Sequence, residues 1–195
     1  MTPDQRKTTL NLRKQKGWPW HSPPHRIGET NYYHLFAACY EHKPIIGKSP
    51  ERMTQFSENL LTTLKENEAK VFAWCVLPNH YHLLVYSEQV LKLIRELGKC
   101  HGRNSFKWNG EEDKRGRKVW HNLYERYIRN ERHFWVTMNY VHNNPVHHNY
   151  VAKWQDWAFS SAIAFLTEYG REKAMEIWRK YPVLGYGKGW DEGGM

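Results

Sequence analysis

Leu77-Pro78-Asn79-His80-Tyr81-His82-Leu83-Leu84-Val85 is the stretch from which the rest of this chain can be read. Pro78-Asn79 reads as a tight connection and His80 to Tyr86 as a strand. Alternate residues of a strand share a face, so His80 and His82 project together while Tyr81 points the other way. Two convergent neutral imidazoles make half of a metal site. A pair of histidines on the solvated face of an edge strand is the plainer alternative, and so short a pattern does not decide between them.

Outward from this strand the elements alternate. Val71 to Leu77 predicts the strand before it, and Tyr32 to Tyr40 a short aromatic first strand. Pro50 opens a helix through about Asn67, with Met53, Phe56, Leu60, Leu61 and Leu64 at helical spacing. A second helix runs from Gln89 to about Lys107 with Val90, Leu91, Ile94 and Leu97 on one face. A charged, Gly-containing loop follows, and Val119 to Ile128 predicts the last strand. Strand, helix, strand, strand, helix, strand is the order of a ferredoxin-like split βαβ fold in the α+β class. Its sheet is expected to be mainly antiparallel, with four to five strands and helices packed on one face.

The chain has 195 residues, enough for one domain with a real core. Residues 1–28 are basic and carry Pro19, Pro23 and Pro24, which suits a flexible arm. Residues 29–150 form the expected main domain, and 151–195 a C-terminal helical extension with a Gly-rich tail. Charged residues at 25% and hydrophobic ones at 40% exclude a disordered chain. No run approaches the ~18 apolar residues of a membrane span, and no secretory leader is evident. Cys39, Cys75 and Cys100 are odd in number and scattered, which points to reduced thiols in a cytoplasmic protein.

Lys plus Arg at 29 against Asp plus Glu at 20 leaves a net charge of +9, which favours a polyanionic partner such as nucleic acid. Arg103, Lys107, Arg115, Arg117, Arg126 and Arg129 are the candidate phosphate contacts. With 10 Trp and 12 Tyr, many beside cations, stacking on unpaired bases is available too. A merely soluble basic protein is the alternative.

The helix after the last strand adds chemistry. Asn130 suits its N-cap and Glu131 its first turn. Phe134, Met138 and Val141 define a core stripe, with Trp135 beside them. Tyr140 falls on the opposite, polar side, with Asn144 one turn later and His133 on the same face. Pro145 is expected to end the helix at Asn144. A lone tyrosine in such a place is more often structural than reactive.

Together, Pro78-Asn79-His80-Tyr81-His82-Leu83-Leu84-Val85 and Tyr140-Val141-His142-Asn143-Asn144-Pro145-Val146 resemble the single-tyrosine HUH nucleases. The similarity is greatest to the REP-associated tyrosine transposases, kin of the IS200/IS605-like transposases. It runs from about Tyr33 to Phe165, through Val119-Trp120, Tyr124-Glu125-Arg126-Tyr127-Ile128-Arg129 and Asp156-Trp157-Ala158-Phe159-Ser160-Ser161. One departure is His147-His148-Asn149-Tyr150, where a small, basic continuation is usual.

The resemblance implies that Tyr140 attacks a phosphodiester of single-stranded DNA to give a 5′-phosphotyrosine. It implies a divalent metal, Mg²⁺ or Mn²⁺, held by His80, His82 and Asn144. It further implies single-stranded hairpin DNA as the partner, with no small-molecule substrate, no membrane and a monomer favoured over a dimer. The expected place of action is the nucleoid of a bacterial cytoplasm. No clear general base is named, and His133 is a weak candidate. Two alternatives stay open: a non-catalytic hairpin DNA- or RNA-binding regulator on the same fold, and a phosphoesterase that uses water.

Overall fold

Four strands, β1 (Tyr32–Ala38), β2 (Lys70–Val76), β3 (His80–Tyr86) and β4 (Tyr124–Tyr127), form one sheet in the order β2-β3-β1-β4. Every neighbouring pair is antiparallel. Between them run α1 (Pro50–Glu66) and α2 (Val90–Glu111), and after them α3 (Glu131–His147), α4 (Ala162–Tyr169) and α5 (Arg171–Lys180). This is the split βαβ arrangement, with the first and third strands central. The computed structural model describes residues 30–188, so the basic arm and the last seven residues lie outside the described part.

The sheet is buried on both faces. Tyr33, Leu35, Tyr81, Leu83 and Val85 pack with Phe56, Leu60, Leu93 and Leu97 of α1 and α2. Ala73, Cys75 and Leu84 point the other way, into a second core with Met138, Tyr140 and Val141 of α3. The two crossover helices therefore share one face as expected, and α3 covers the opposite one. β3 requires this, since its first six residues are all buried and leave no face for water.

Local chemistry sets the helix starts. Ser49 caps α1, its Oγ accepting from the Arg52 N–H, and Pro50 fills the first turn. Asn130 caps α3 through its Oδ1 and the His133 N–H. α2 runs four residues past Lys107, because Trp108 and Asn109 are buried there and Asn109 Nδ2 donates to the Arg117 carbonyl.

Further expectations need correction. The last strand is shorter than Val119 to Ile128. Trp120 makes an isolated bridge to Cys39, one residue out of register with the Phe36–Tyr124 pairing, so the ladder breaks between them. Its indole stacks on His101 at 4.2 Å and packs against Phe56, Tyr81 and Trp108, and this core anchorage sets the local backbone path. Nor does Pro145 end α3, which continues to His147. So near the C-terminus a proline forfeits only the bond to Val141. The next turn closes through His148 N–H to Asn144 O and Tyr150 N–H to Pro145 O.

Residues after 150 are tied to the β2 edge. Val76 N–H donates to Phe159 O, Ser161 N–H to Trp74 O, and the Trp157 indole to Val76 O. Beyond them Ala174 and Ile177 of α5, with Tyr181, pack on α3, and Asn139 Nδ2 donates to Tyr181 O. Sheet on one side and these helices on the other bury α3 nearly all round. Its single-stripe reading from Phe134, Met138 and Val141 fails for that reason, and Thr137, Asn139, His142 and Asn144 are all fully buried polar residues.

Candidate active site

Strand alternation sends His80 and His82 from β3, and His34 and Phe36 from β1, to the face beneath α3. Phe36 lies opposite His82 in the β1–β3 register, and His34 is its diagonal neighbour. On α3, Tyr140 and Asn144 lie one turn apart and point down onto these rings. The Tyr140 ring centroid is 5.1 Å from His82 and 5.8 Å from His34, both edge to face. His80 Nε2 is 2.9 Å from Asn144 Oδ1. The four residues singled out in the sequence thus converge in one cluster.

Tyr140 is not exposed on a polar face, as its position on the helical wheel suggested, but only 4% exposed. The segment at Tyr186 and Gly187 covers it. The Tyr186 ring packs edge to face on Tyr140 at 5.5 Å. Gly187 sits at φ +83°, and a Cβ there would overlap the Tyr140 ring at Cε2. Tyr186 is held by a closed circuit of hydrogen bonds. Its hydroxyl donates to Thr137 Oγ1 at 2.6 Å and accepts from His133 Nε2 at 3.0 Å. His133 Nδ1 in turn accepts from the Arg129 N–H, and Thr137 donates to His133 O. His133 therefore holds the covering segment. Its pKa is lowered by burial first, then by the nearby Arg129 and Arg126.

The basic candidates fall into two groups. Arg126 extends from β4 on the same face as His34, and its guanidinium loses some basicity to partial desolvation while feeling the Tyr186 and Tyr140 oxygens. Arg129 follows it. The other four lie on α2 and its following loop, across the sheet from α3. Arg103 is exposed. Lys107 donates to Gln55, and Arg115 lies over the Phe106 ring at 4.2 Å. Arg117 binds Glu112 and Asn109, in the network where Arg52 also meets Glu112. The Arg117 and Arg52 guanidiniums hold the Glu112 carboxyl down at about 2.

Among the described residues no group of three or more His, Cys, Asp or Glu side chains could hold a metal ion, so a site built on His80 and His82 would draw on another kind of oxygen, such as the Asn144 amide. His80 supplies the test. Its Nδ1 faces Asn79 Oδ1 at 2.7 Å and its Nε2 faces Asn144 Oδ1 at 2.9 Å. A neutral imidazole has one N–H and can donate to only one of these oxygens. With the proton on Nδ1, the Nε2 lone pair and Asn144 Oδ1 face each other as two acceptors. Turning the Asn144 amide over resolves the clash by donation from Nδ2, which has no hydrogen-bond partner among the described residues. A cation would resolve it too, since the Nε2 lone pair and the Asn144 oxygen, 2.9 Å apart, would both turn toward a positive charge. The donor set of imidazole nitrogens and an amide oxygen fits Mn²⁺ or Mg²⁺.

Three contributors were not among the site residues expected from the sequence. His34 reaches His82 from another strand, Tyr186 reaches Tyr140 from beyond α5, and His148 packs on His80 at 4.9 Å. Among the described residues no helix is long and apolar enough to cross a membrane, and all three cysteines are buried and unpaired.

Comparison with known proteins bears on the family and the fold. A protein of Haemophilus influenzae, provisionally named a REP-associated tyrosine transposase, is 25% identical over 142 residues, covering 68% of this chain and 79% of its own. A solved structure of a REP-associated tyrosine transposase bound to a REP hairpin shares the fold with a TM-score of 0.59 at 18% identity, covering 78% of this chain and 87% of that one. The family model described as "Transposase IS200 like" matches residues 29–144. That match spans more than half of the sequence and ends on Asn144, so the chain belongs to the IS200-like transposase family.

Proposed function

We propose that the protein is a metal-dependent single-stranded DNA endonuclease and strand transferase that recognises a palindromic, REP-like hairpin. The convergence of Tyr140, His80, His82 and Asn144 in one cluster carries this reading. The Tyr140 oxygen attacks the scissile phosphorus and forms a Tyr–O–P bond to the 5′ side. The P–O3′ bond breaks, the 3′ oxygen leaves and takes up a proton, and the tyrosine proton passes to solvent or a nearby base. The free 3′-OH of a second strand reverses the step and rejoins DNA.

His80, His82 and Asn144 would hold Mg²⁺ or Mn²⁺. When bound, the ion supplies charge neutralisation at a phosphodiester that otherwise repels the nucleophile. Arg126 beside Tyr140 and Arg129 next to it suit the flanking phosphates, while Arg103, Lys107, Arg115 and Arg117 face DNA only if it wraps to the other side. The hairpin as partner is supported by the related transposase solved with one. A monomer acting on nucleoid DNA completes the reading.

The test is a labelled hairpin oligonucleotide incubated with protein and Mn²⁺ and run on a denaturing gel. A covalently shifted band is expected. Cleaved product without an adduct would select hydrolysis by water, and tight binding with neither would select a regulator.

A further inference from the structure

We infer that His34 is a positioning residue that orients the imidazole of His82 for metal binding, an inference that rests on the metal-site reading above. His34 Nε2 lies 3.1 Å from His82 Nδ1, and both rings are fully buried. If His82 binds metal, it does so through Nε2, and its Nδ1–H then needs an acceptor where no water reaches. His34 Nε2 supplies it.

The two candidate ligands share one pattern. His80 has its Nδ1 held by Asn79 Oδ1, and His82 has its Nδ1 held by His34. In each case the bond fixes the ring's rotation and tautomer and leaves Nε2 as the outward nitrogen. Asn79 is adjacent to its histidine in the chain, whereas His34 comes from the neighbouring strand 48 residues away.

Packing alone is a poor reason for a histidine at this place. His34 lies between Phe36 and Tyr140, with ring centroids 5.1 Å and 5.8 Å away, where a phenylalanine would fill space without burying a polar group. The same ring meets the edge of Tyr140, so one residue fixes both the metal ligand and the nucleophile's surroundings.

The experiment is a Mn²⁺ titration of the full chain, with free Mn²⁺ read by electron paramagnetic resonance. His34→Phe keeps the aromatic volume and removes the acceptor. It should weaken Mn²⁺ binding by about 10- to 100-fold. His34→Gln returns an amide oxygen near the Nε2 position and should restore most of the affinity, which a purely space-filling role would not predict. Nitrogen-15 NMR of the parent's imidazoles needs no variant, and His82 is expected to carry its proton on Nδ1. Parent-like affinity in His34→Phe, failure of His34→Gln to improve on it, or a His82 proton on Nε2 would overturn the inference. A parent that binds no Mn²⁺ would overturn the metal site itself, and this role with it.

Discussion

His80 Nε2 and Asn144 Oδ1 stand 2.9 Å apart although 64 residues separate them in the chain. One comes from the middle of a sheet and the other from the last turns of the helix laid across it. Removing either His80 or His82 as Ala should abolish divalent-dependent cleavage. Hairpin affinity should stay within about tenfold of the parent, since phosphate contacts supply most of it. Gel-shift and cleavage assays on the same samples check both halves, and full activity in either variant would remove the metal-site reading.

Tyr140→Phe deletes one oxygen, keeps the ring and hardly changes helix propensity. The variant should melt like the parent, bind hairpin DNA and form no covalent adduct. The rival nucleophiles are Tyr124, Tyr127 and Tyr150. Tyr124 stacks on Phe36, Tyr127 packs by Tyr33 on the opposite face, and Tyr150 is 43% exposed beyond α3. Peptide mass spectrometry of a trapped adduct decides, and a nucleotide on any of these three would overturn the assignment.

Gly187 bears on how the tyrosine is reached. Gly187→Val adds a side chain that overlaps the Tyr140 ring and suffers at positive φ, so the Tyr186–Gly187 segment should lift. On the proposed mechanism DNA displaces that segment to reach Tyr140, so adduct formation should rise several-fold in this variant with little loss of thermal stability. Single-turnover adduct rates measure this. A rate at or below the parent's would show that the segment is no barrier.

Buried histidines predict an acid limit. Burial holds the pKa of His101 and of His142 down at about 3. Both are neutral in the fold and charge readily once unfolded, near pH ~6.5. The folded pKa is depressed, so their contribution is complete above about pH 6.5 and is lost as pH falls toward 3. Denaturant midpoints measured from pH 7.5 to 4 should fall below about 6.5. His142→Gln should flatten part of that slope, and an unchanged midpoint down to pH 4 would contradict the assignment.

The sequence by itself determined what depends on near neighbours. Period-two alternation put His80 and His82 on one face, and helical spacing put Asn144 one turn beyond Tyr140. Hydrophobic periods and turn residues set the order of strands and helices, hence the fold class. Only the tertiary structure decided that α3 is buried nearly all round, that Pro145 stays inside it, and that Tyr140 lies under Tyr186 and Gly187. It alone brought His34 to His82. The physical reason is one of range. Backbone geometry and side-chain period act over a few residues and leave a local pattern. A hydrogen bond or ring contact between distant segments exists only once two elements pack, and packing against α5 or the β2 edge overrides the preferences of the helix alone.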